Sequence, residues 1–443
     1  MKPDCILHIG HTKTGSTSIQ NVCGTERAAL QAAGICYPKS PGWSNHALLP
    51  ASSAVPALQD RGIHPAFWGG LPPAERIARF LADDFPAEMS ALPAGTRLVL
   101  FSSEQCIHML PDPASVARLR DLIAPHVGRI RVVVYLRRQD EHVASAYTQM
   151  LRDGVIARPS LPEGGPKQLF MYDYAGLLAR WAEVFGHAAM VPRLFGRDTL
   201  VQGDAIDDLL TLAGAPGLIP ADHPQRESNP SADAQGQAVM VGAAAAMAGI
   251  GQAASLADPV WRHLMELITE ARPGRGWRPA PAAARAFMDR FAEGNEWIRR
   301  NWFPERPSLF APIADGAAGS TPFPEGDALA GPALDMLARV AALALRAHVA
   351  QLVEGARLEA HHGNMPAATR MLMRAIAADE AAPLPRLRLA ALLIRDRKLA
   401  PAAQHLAVAT ARLPADDAEL VRVHALLARA QTTPRAPATR AKG

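Results

Sequence analysis

Near the start of the chain, His11-Thr12-Lys13-Thr14-Gly15-Ser16-Thr17-Ser18 lies between a short apolar run, Cys5–Ile9, and a segment with helical periodicity beginning at Ser16. A turn from strand into helix leaves backbone N–H groups unpaired at the positive end of the helix dipole. Glycine lets such a turn close around anionic oxygens. Lys13 adds a point charge, and the hydroxyls of Ser16, Thr17 and Ser18 add donors. The chemistry predicted is the grip of a phosphate-like group. A nucleoside-triphosphatase loop places its Lys directly after the second Gly of G-x-x-x-x-G-K-[ST]. Lys13 instead stands two residues before Gly15, which moves the ammonium to the other flank of the loop.

A second constellation follows about 120 residues later. Ile130–Leu136 is an apolar strand pattern that runs into Arg137, and the helix pattern from Gln139 brings Ser145 eight residues after that arginine. Arg offers a fork of donors matched to a phosphate, and Ser a neutral donor. Arg138 stands beside it and competes for the same role. Both constellations sit at carboxyl ends of predicted strands, where open α/β sheets bind ligands.

The order Lys13-Thr14-Gly15-Ser16-Thr17 resembles the 5′-phosphosulfate loop of sulfotransferases that use 3′-phosphoadenosine 5′-phosphosulfate (PAPS), of the bacterial, carbohydrate-sulfotransferase-like kind. That resemblance implies that Arg137 and Ser145 hold the 3′-phosphate of the donor. It also implies contacts to the donor from His11, Thr12, Lys13, Thr14, Gly15, Ser16, Thr17 and Ser18. Asp173–Trp181, Gly186, Phe195-Gly196-Arg197-Asp198 and Arg226–Ser231 look like later segments of such domains, so the likeness covers roughly residues 1–310.

Sulfuryl transfer needs acceptor and leaving oxygens in line, neutralised charge at the leaving phosphate, and a base for the acceptor proton. Lys13 and the loop amides meet the charge requirement. Two residues compete as base: His46, in the loop after the first helix, where this bacterial group is similar in favouring His, and Glu104, after the strand ending in Phe101. His46 is placed first because it titrates near neutrality, whereas Glu104 needs burial to raise its pKa. No His, Asp or Glu spacing predicts a metal site.

Positioning these residues requires a layered α/β domain. Strands are predicted near Cys5–Ile9, Arg97–Phe101, Ile130–Leu136 and Ala189–Phe195. Helices are predicted near Ser16–Ala33, Ala74–Asp84, Ser115–His126, Gln139–Arg152, Tyr174–Phe185 and Asp204–Ala213, with Gly34, Gly186 and Gly214 as end caps. The fold expected is α/β: P-loop-like, three-layer α/β/α with a short parallel sheet. The loops Cys36–Pro73 and Gly154–Met171, the first bearing Trp43 and Trp68, are candidate acceptor walls. Trp261, Trp277, Trp297 and Trp302 read as a packing layer.

The 443 residues, 49% hydrophobic and 20% charged, exclude collagen-like, disulfide-scaffold and wholly disordered classes and suggest more than one unit. A net charge of +4 spread along the chain gives no nucleic-acid footprint. Four scattered cysteines form no C-x-x-C pair, and free thiols with no leader or membrane span suggest a cytoplasmic protein. Residues 311–334 are expected as a linker, 335–431 as an all-helical unit, and 432–443 as a disordered basic tail. An offset of 34 aligns Ala368 with Ala402, Leu372 with Leu406 and Ala375 with Ala409, which resembles tetratricopeptide repeats and would offer a surface to a protein partner.

The function expected is transfer of a sulfuryl group from PAPS, leaving 3′-phosphoadenosine 5′-phosphate (PAP), to a hydroxyl or amine of a glycan, glycolipid or small molecule. Two rivals stay open: a kinase-like nucleoside-triphosphate enzyme, and a non-catalytic nucleotide-binding scaffold whose helical repeats bind a partner.

Overall fold

The computed structural model describes residues 2–59, 68, 71–155, 157–226, 231–249, 259–313, 321–324, 330–380 and 382–432. Parts of the expected Arg226–Ser231 segment and of the expected linker lie outside these residues, as does the expected tail from 433 onward. Two compact units are present, 1–265 with 272–329, and 266–271 with 330–443.

The first unit is built on a five-stranded sheet in the order β2-β3-β1-β4-β5. The strands are β1 (Asp4–His8), β2 (Ile35–Cys36), β3 (Leu98–Ser102), β4 (Ile130–Leu136) and β5 (Met190–Leu194), and every pairing is parallel. A sheet covered on both faces demands strands with apolar centres, which is why β1, β3 and β4 carry runs such as Cys5–Leu7, Leu98–Phe101 and Val132–Leu136. Their side chains divide by the two-residue period of the strand. Leu7, Val99, Phe101, Val132 and Val134 pack into one core with Phe85 and Trp181. Ile6, Leu98, Leu100, Val133 and Tyr135 pack into another with Ile19 and Leu209.

Two local departures from the predicted elements have simple causes. The two residues of β2 are too short to carry a periodic signal. The expected helix Ser16–Ala33 is broken at Glu26 (φ −96°, ψ 28°) into Ser16–Thr25 and Arg27–Ala32. The break lets Arg27 reach back to the Gly24 carbonyl at 2.6 Å and across to the Tyr37 carbonyl at 2.8 Å.

The second unit carries the helices Ala330–His361, Met365–Ala378, Pro383–Arg395, Leu399–Thr410 and Ala418–Thr432. The aligned residues Ala368, Leu372 and Ala375, and their counterparts Ala402, Leu406 and Ala409, are all buried. The turns also correspond. Gly363 (φ 81°) and Arg397 (φ 59°) both adopt left-handed backbone. Asn364 N–H donates to Glu359 O at 2.8 Å, as Lys398 N–H does to Leu393 O at 2.9 Å. No described helix is long and apolar enough to cross a membrane.

Candidate functional site

β1 and β4 lie side by side, but the chain leaving β1 travels toward β2 and the chain leaving β4 travels toward β5. Such a reversal opens a crevice at the carboxyl ends of the two strands. The Lys13 loop rises from β1 into this crevice, and Arg137 rises from β4.

Three consecutive features shape the loop. Gly10 has φ 62°, and a Cβ there would stand 2.9 Å from the Glu104 Cα and 3.0 Å from the Ser16 Oγ. The His11 carbonyl then accepts hydrogen bonds from Thr14 Oγ1 at 2.7 Å and Ser16 Oγ at 3.0 Å, which curls the loop on itself. Lys13 (φ 65°) and Gly15 (φ 81°) take left-handed backbone, unusual for a lysine and a mark of a shape held by its surroundings. No side chain caps the first turn of helix Ser16–Thr25. Its leading N–H groups therefore remain available to an anion.

Charge converges on the same place. Burial lowers the pKa of Lys13, and the nearby Arg152 and Arg137 lower it further, against a smaller opposing pull from Glu104 and Asp153. Arg137 Nη1 donates to the Lys13 carbonyl at 3.2 Å, and its Nε lies 3.5 Å from Glu141. Glu141 also meets Arg138 at 3.4 Å and Arg278 at 3.3 Å, so one carboxylate faces three guanidinium groups. Burial pushes the Glu141 pKa up, and those three arginines more than offset it. Ser145 is half-buried one turn beyond Glu141 on the same helix face. The Phe195 ring, just past β5, sits 5.7 Å from the Arg137 guanidinium carbon.

A buried chain of hydrogen bonds ties loop to strand end. Tyr174 Oη donates to the Arg137 carbonyl at 2.7 Å and therefore accepts from His142 Nδ1 at 3.0 Å. That leaves His142 Nε2 to accept from Thr12 Oγ1 at 3.1 Å. Every proton in this chain has one place to go if His142 is neutral, and burial lowers its pKa accordingly.

The two candidate bases differ sharply. His46 is fully buried, and both ring nitrogens are engaged: Nδ1 accepts from the Ser102 N–H at 3.2 Å and Nε2 donates to the Pro38 carbonyl at 2.9 Å. Burial lowers its pKa to about 3. With both ring nitrogens engaged, His46, which the sequence placed first as base, has none free to take a proton in this geometry. Glu104 keeps partial exposure beside Gly10 and accepts from Gln20 Nε2 at 3.3 Å. Burial raises its pKa, and Gln20 and Lys13 pull it partly back.

His11 is likewise turned inward, with Nε2 donating to the Met171 carbonyl at 2.8 Å, so its ring shapes the loop rather than facing the crevice. The side chains of Thr14 and Ser16 are spent on the His11 carbonyl. Thr17 is exposed, and Thr12 and Ser18 are half-buried. Trp68 is buried and Trp43 is 63% exposed, so the two loop tryptophans do not form a common wall. The sequence reading missed Arg152, Arg278, His142 and Gln20. His142 and Arg152 lie on the predicted Gln139–Arg152 helix, and its 3.6-residue period could have placed Arg152 with Ser145 and Glu141; Arg278 had no such signal. Among the described residues no group of three His, Cys, Asp or Glu side chains could hold a metal ion.

No family model and no curated protein sequence matches this chain. Among solved structures it is similar to a sulfotransferase from Alicyclobacillus acidocaldarius, with 18% identity over 59% of this chain and 99% of the other, and a TM-score of 0.31. A likeness that weak leaves function to be argued from the crevice itself.

Proposed function

We propose that the chain is a sulfotransferase that moves the sulfuryl group of PAPS to a hydroxyl or amine. The observation that carries this reading is the bond from Arg137 to the Lys13 carbonyl, which joins two segments read separately in the sequence as anion grips. PAPS carries anionic groups at both ends of its ribose, and a ligand with two such groups calls for two grips. In this reading Lys13 and the uncapped amides of residues 16–18 hold the 5′-phosphosulfate, and Arg137 with Ser145 holds the 3′-phosphate.

Glu104 is the base in this proposal. Its carboxylate takes the acceptor proton as the acceptor oxygen or nitrogen bonds to sulfur. The bond from sulfur to the 5′-phosphate oxygen breaks, its electron pair leaving with PAP, and Lys13 offsets the charge that develops there. A carboxyl raised by burial is a better base than an exposed one. The acceptor class, a glycan or glycolipid, and a tetratricopeptide-like role for the helical unit in binding a protein partner belong to the same proposal. The matching left-handed turns at Gly363 and Arg397 support the repeat.

Calorimetry with PAP tests the donor assignment. Wild type should bind, and Lys13→Ala and Arg137→Ala should each weaken binding at least about tenfold. A flat wild-type titration at low and moderate salt removes the assignment.

A further inference from the structure

A cavity of about 580 Å³ opens between the start of helix Tyr174–Phe185 and helix Ala292–Trp302. Its floor is a reciprocal pair of amides: Gln139 Nε2 donates to Asn295 Oδ1 at 2.8 Å, and Asn295 Nδ2 returns to Gln139 Oε1 at 3.3 Å. Each amide has two N–H donors and two acceptor lone pairs, so Asn295 keeps one donor and one acceptor position for a ligand. Asp173 uses Oδ1 to accept the Gly176 N–H at 2.9 Å, leaving Oδ2 at the rim, where Glu293 is exposed. Among the described residues of the lining the cation is Arg290, which is tied to the carbonyls of Pro162 and Gly164, both at 2.7 Å. Trp297 supplies an apolar wall and is 38% exposed, whereas Trp261 and Trp277 are buried as a packing layer requires.

These features select a ligand class. Two carboxylates at the rim repel phosphates and other anions. An exposed indole, braced edge-on by the Trp302 ring at 5.3 Å, beside amide and carboxylate acceptors suits a ring with one apolar C–H face and an edge of hydroxyls. We propose that this cavity binds a saccharide unit, its ring face on Trp297 and its hydroxyls shared among Asn295, Asp173 and Glu293. The site adjoins the crevice without being part of it: the Tyr172 ring in its wall packs against the His142 ring at 5.2 Å between centroids, and His142 accepts from Thr12 of the Lys13 loop. A sugar held here would lie near a transferable group held by that loop.

Saturation-transfer NMR on the full chain, without nucleotide, tests the proposal with D-glucose, D-glucosamine and N-acetyl-D-glucosamine as probes. Saturable binding of at least one sugar is expected, weakened about tenfold or more in Trp297→Ala and in Asn295→Ala and largely restored in Trp297→Phe. Glu293→Gln should weaken D-glucosamine more than D-glucose, because only the former carries a charge. Absence of saturable binding to wild type with all three sugars overturns the proposal, as does binding that both alanine variants leave unchanged. PAP calorimetry reads the Lys13 crevice separately, so sugar binding without PAP binding would remove the donor assignment alone.

Discussion

Arg137 donates from Nη1 to the main-chain carbonyl of Lys13 at 3.2 Å, while its neighbour Arg138 turns away to grip both carboxylate oxygens of Asp140 at 2.7 and 3.0 Å. The two adjacent arginines are therefore not equivalent. Arg137→Ala should weaken PAP binding by about 1.5–3 kcal/mol, the range for a hydrogen bond to a charged group, with little change in melting temperature. Arg138→Ala should do the reverse, lowering the melting temperature and leaving PAP affinity within about threefold, since it frees a buried Asp140. Calorimetry and thermal melts on the two variants check this, and equal losses of affinity would contradict it.

In the proposed reaction Glu104 and Lys13 should set opposite limbs of a pH profile. The proposed base works only when deprotonated, and burial raises the Glu104 pKa, so kcat/KM should fall on the acid side at a pH above the ordinary carboxylate range. Lys13 must stay charged, and its pKa is lowered by burial and by Arg152 and Arg137, so the alkaline limb should appear below the ordinary lysine value. Glu104→Gln should lower kcat about 10²–10⁴-fold while PAP still binds, and should abolish the acid limb. An acid limb that survives in Glu104→Gln assigns the base elsewhere.

The buried, doubly bonded His46 ring should act on stability. His8, His11 and His46 are buried, each with its pKa lowered to about 3. In the unfolded chain these groups protonate near pH 6.5, so below that value the unfolded state binds more protons than the native state. Stability should fall progressively as pH drops from about 6.5 toward about 3. His46→Gln should melt lower at neutral pH, by the equivalent of about 1–3 kcal/mol for disrupted buried hydrogen bonds, yet show a shallower loss on acidification. A melting temperature measured across that range in both proteins decides the matter. Identical pH dependences would refute the role given to this ring.

The residues that were legible in the sequence are those whose placement follows from a strand end. Lys13 and Arg137 each stand just beyond an apolar run, and in an open α/β sheet that alone directs them to one edge. Side-chain direction was less legible. The sequence places His46 in the loop after the first helix and Glu104 at a strand end, but only the structure reveals that the His46 ring pairs with Ser102 and Pro38, two contacts fixed by how the loop folds back on β3. Gly10 could be read as a flexible turn; what it serves is the 2.9 Å approach of the Glu104 backbone, a tertiary relation that no local pattern encodes. Trp297 was read as packing because sequence period cannot separate an exposed from a buried aromatic where four lie on neighbouring helices.

The repeated turns of the helical unit allow a test free of side-chain contacts. Gly363 takes φ 81° with no atom within 4 Å of a Cβ built upon it, so Gly363→Ala meets no steric barrier and pays only the left-handed backbone cost. That cost is about 1–2 kcal/mol for an L-residue. Arg397 tolerates the equivalent conformation at φ 59°, with its guanidinium anchored on the Ala430 carbonyl at 2.8 Å. If the two turns are true equivalents, Gly363→Ala should destabilise the helical unit by that amount and leave PAP affinity unchanged. Amide exchange should then speed up across the helices Ala330–His361 and Met365–Ala378. Unaltered exchange in those helices would mean that the backbone at 363 is free to choose another conformation, and the correspondence with Arg397 would lose its physical basis.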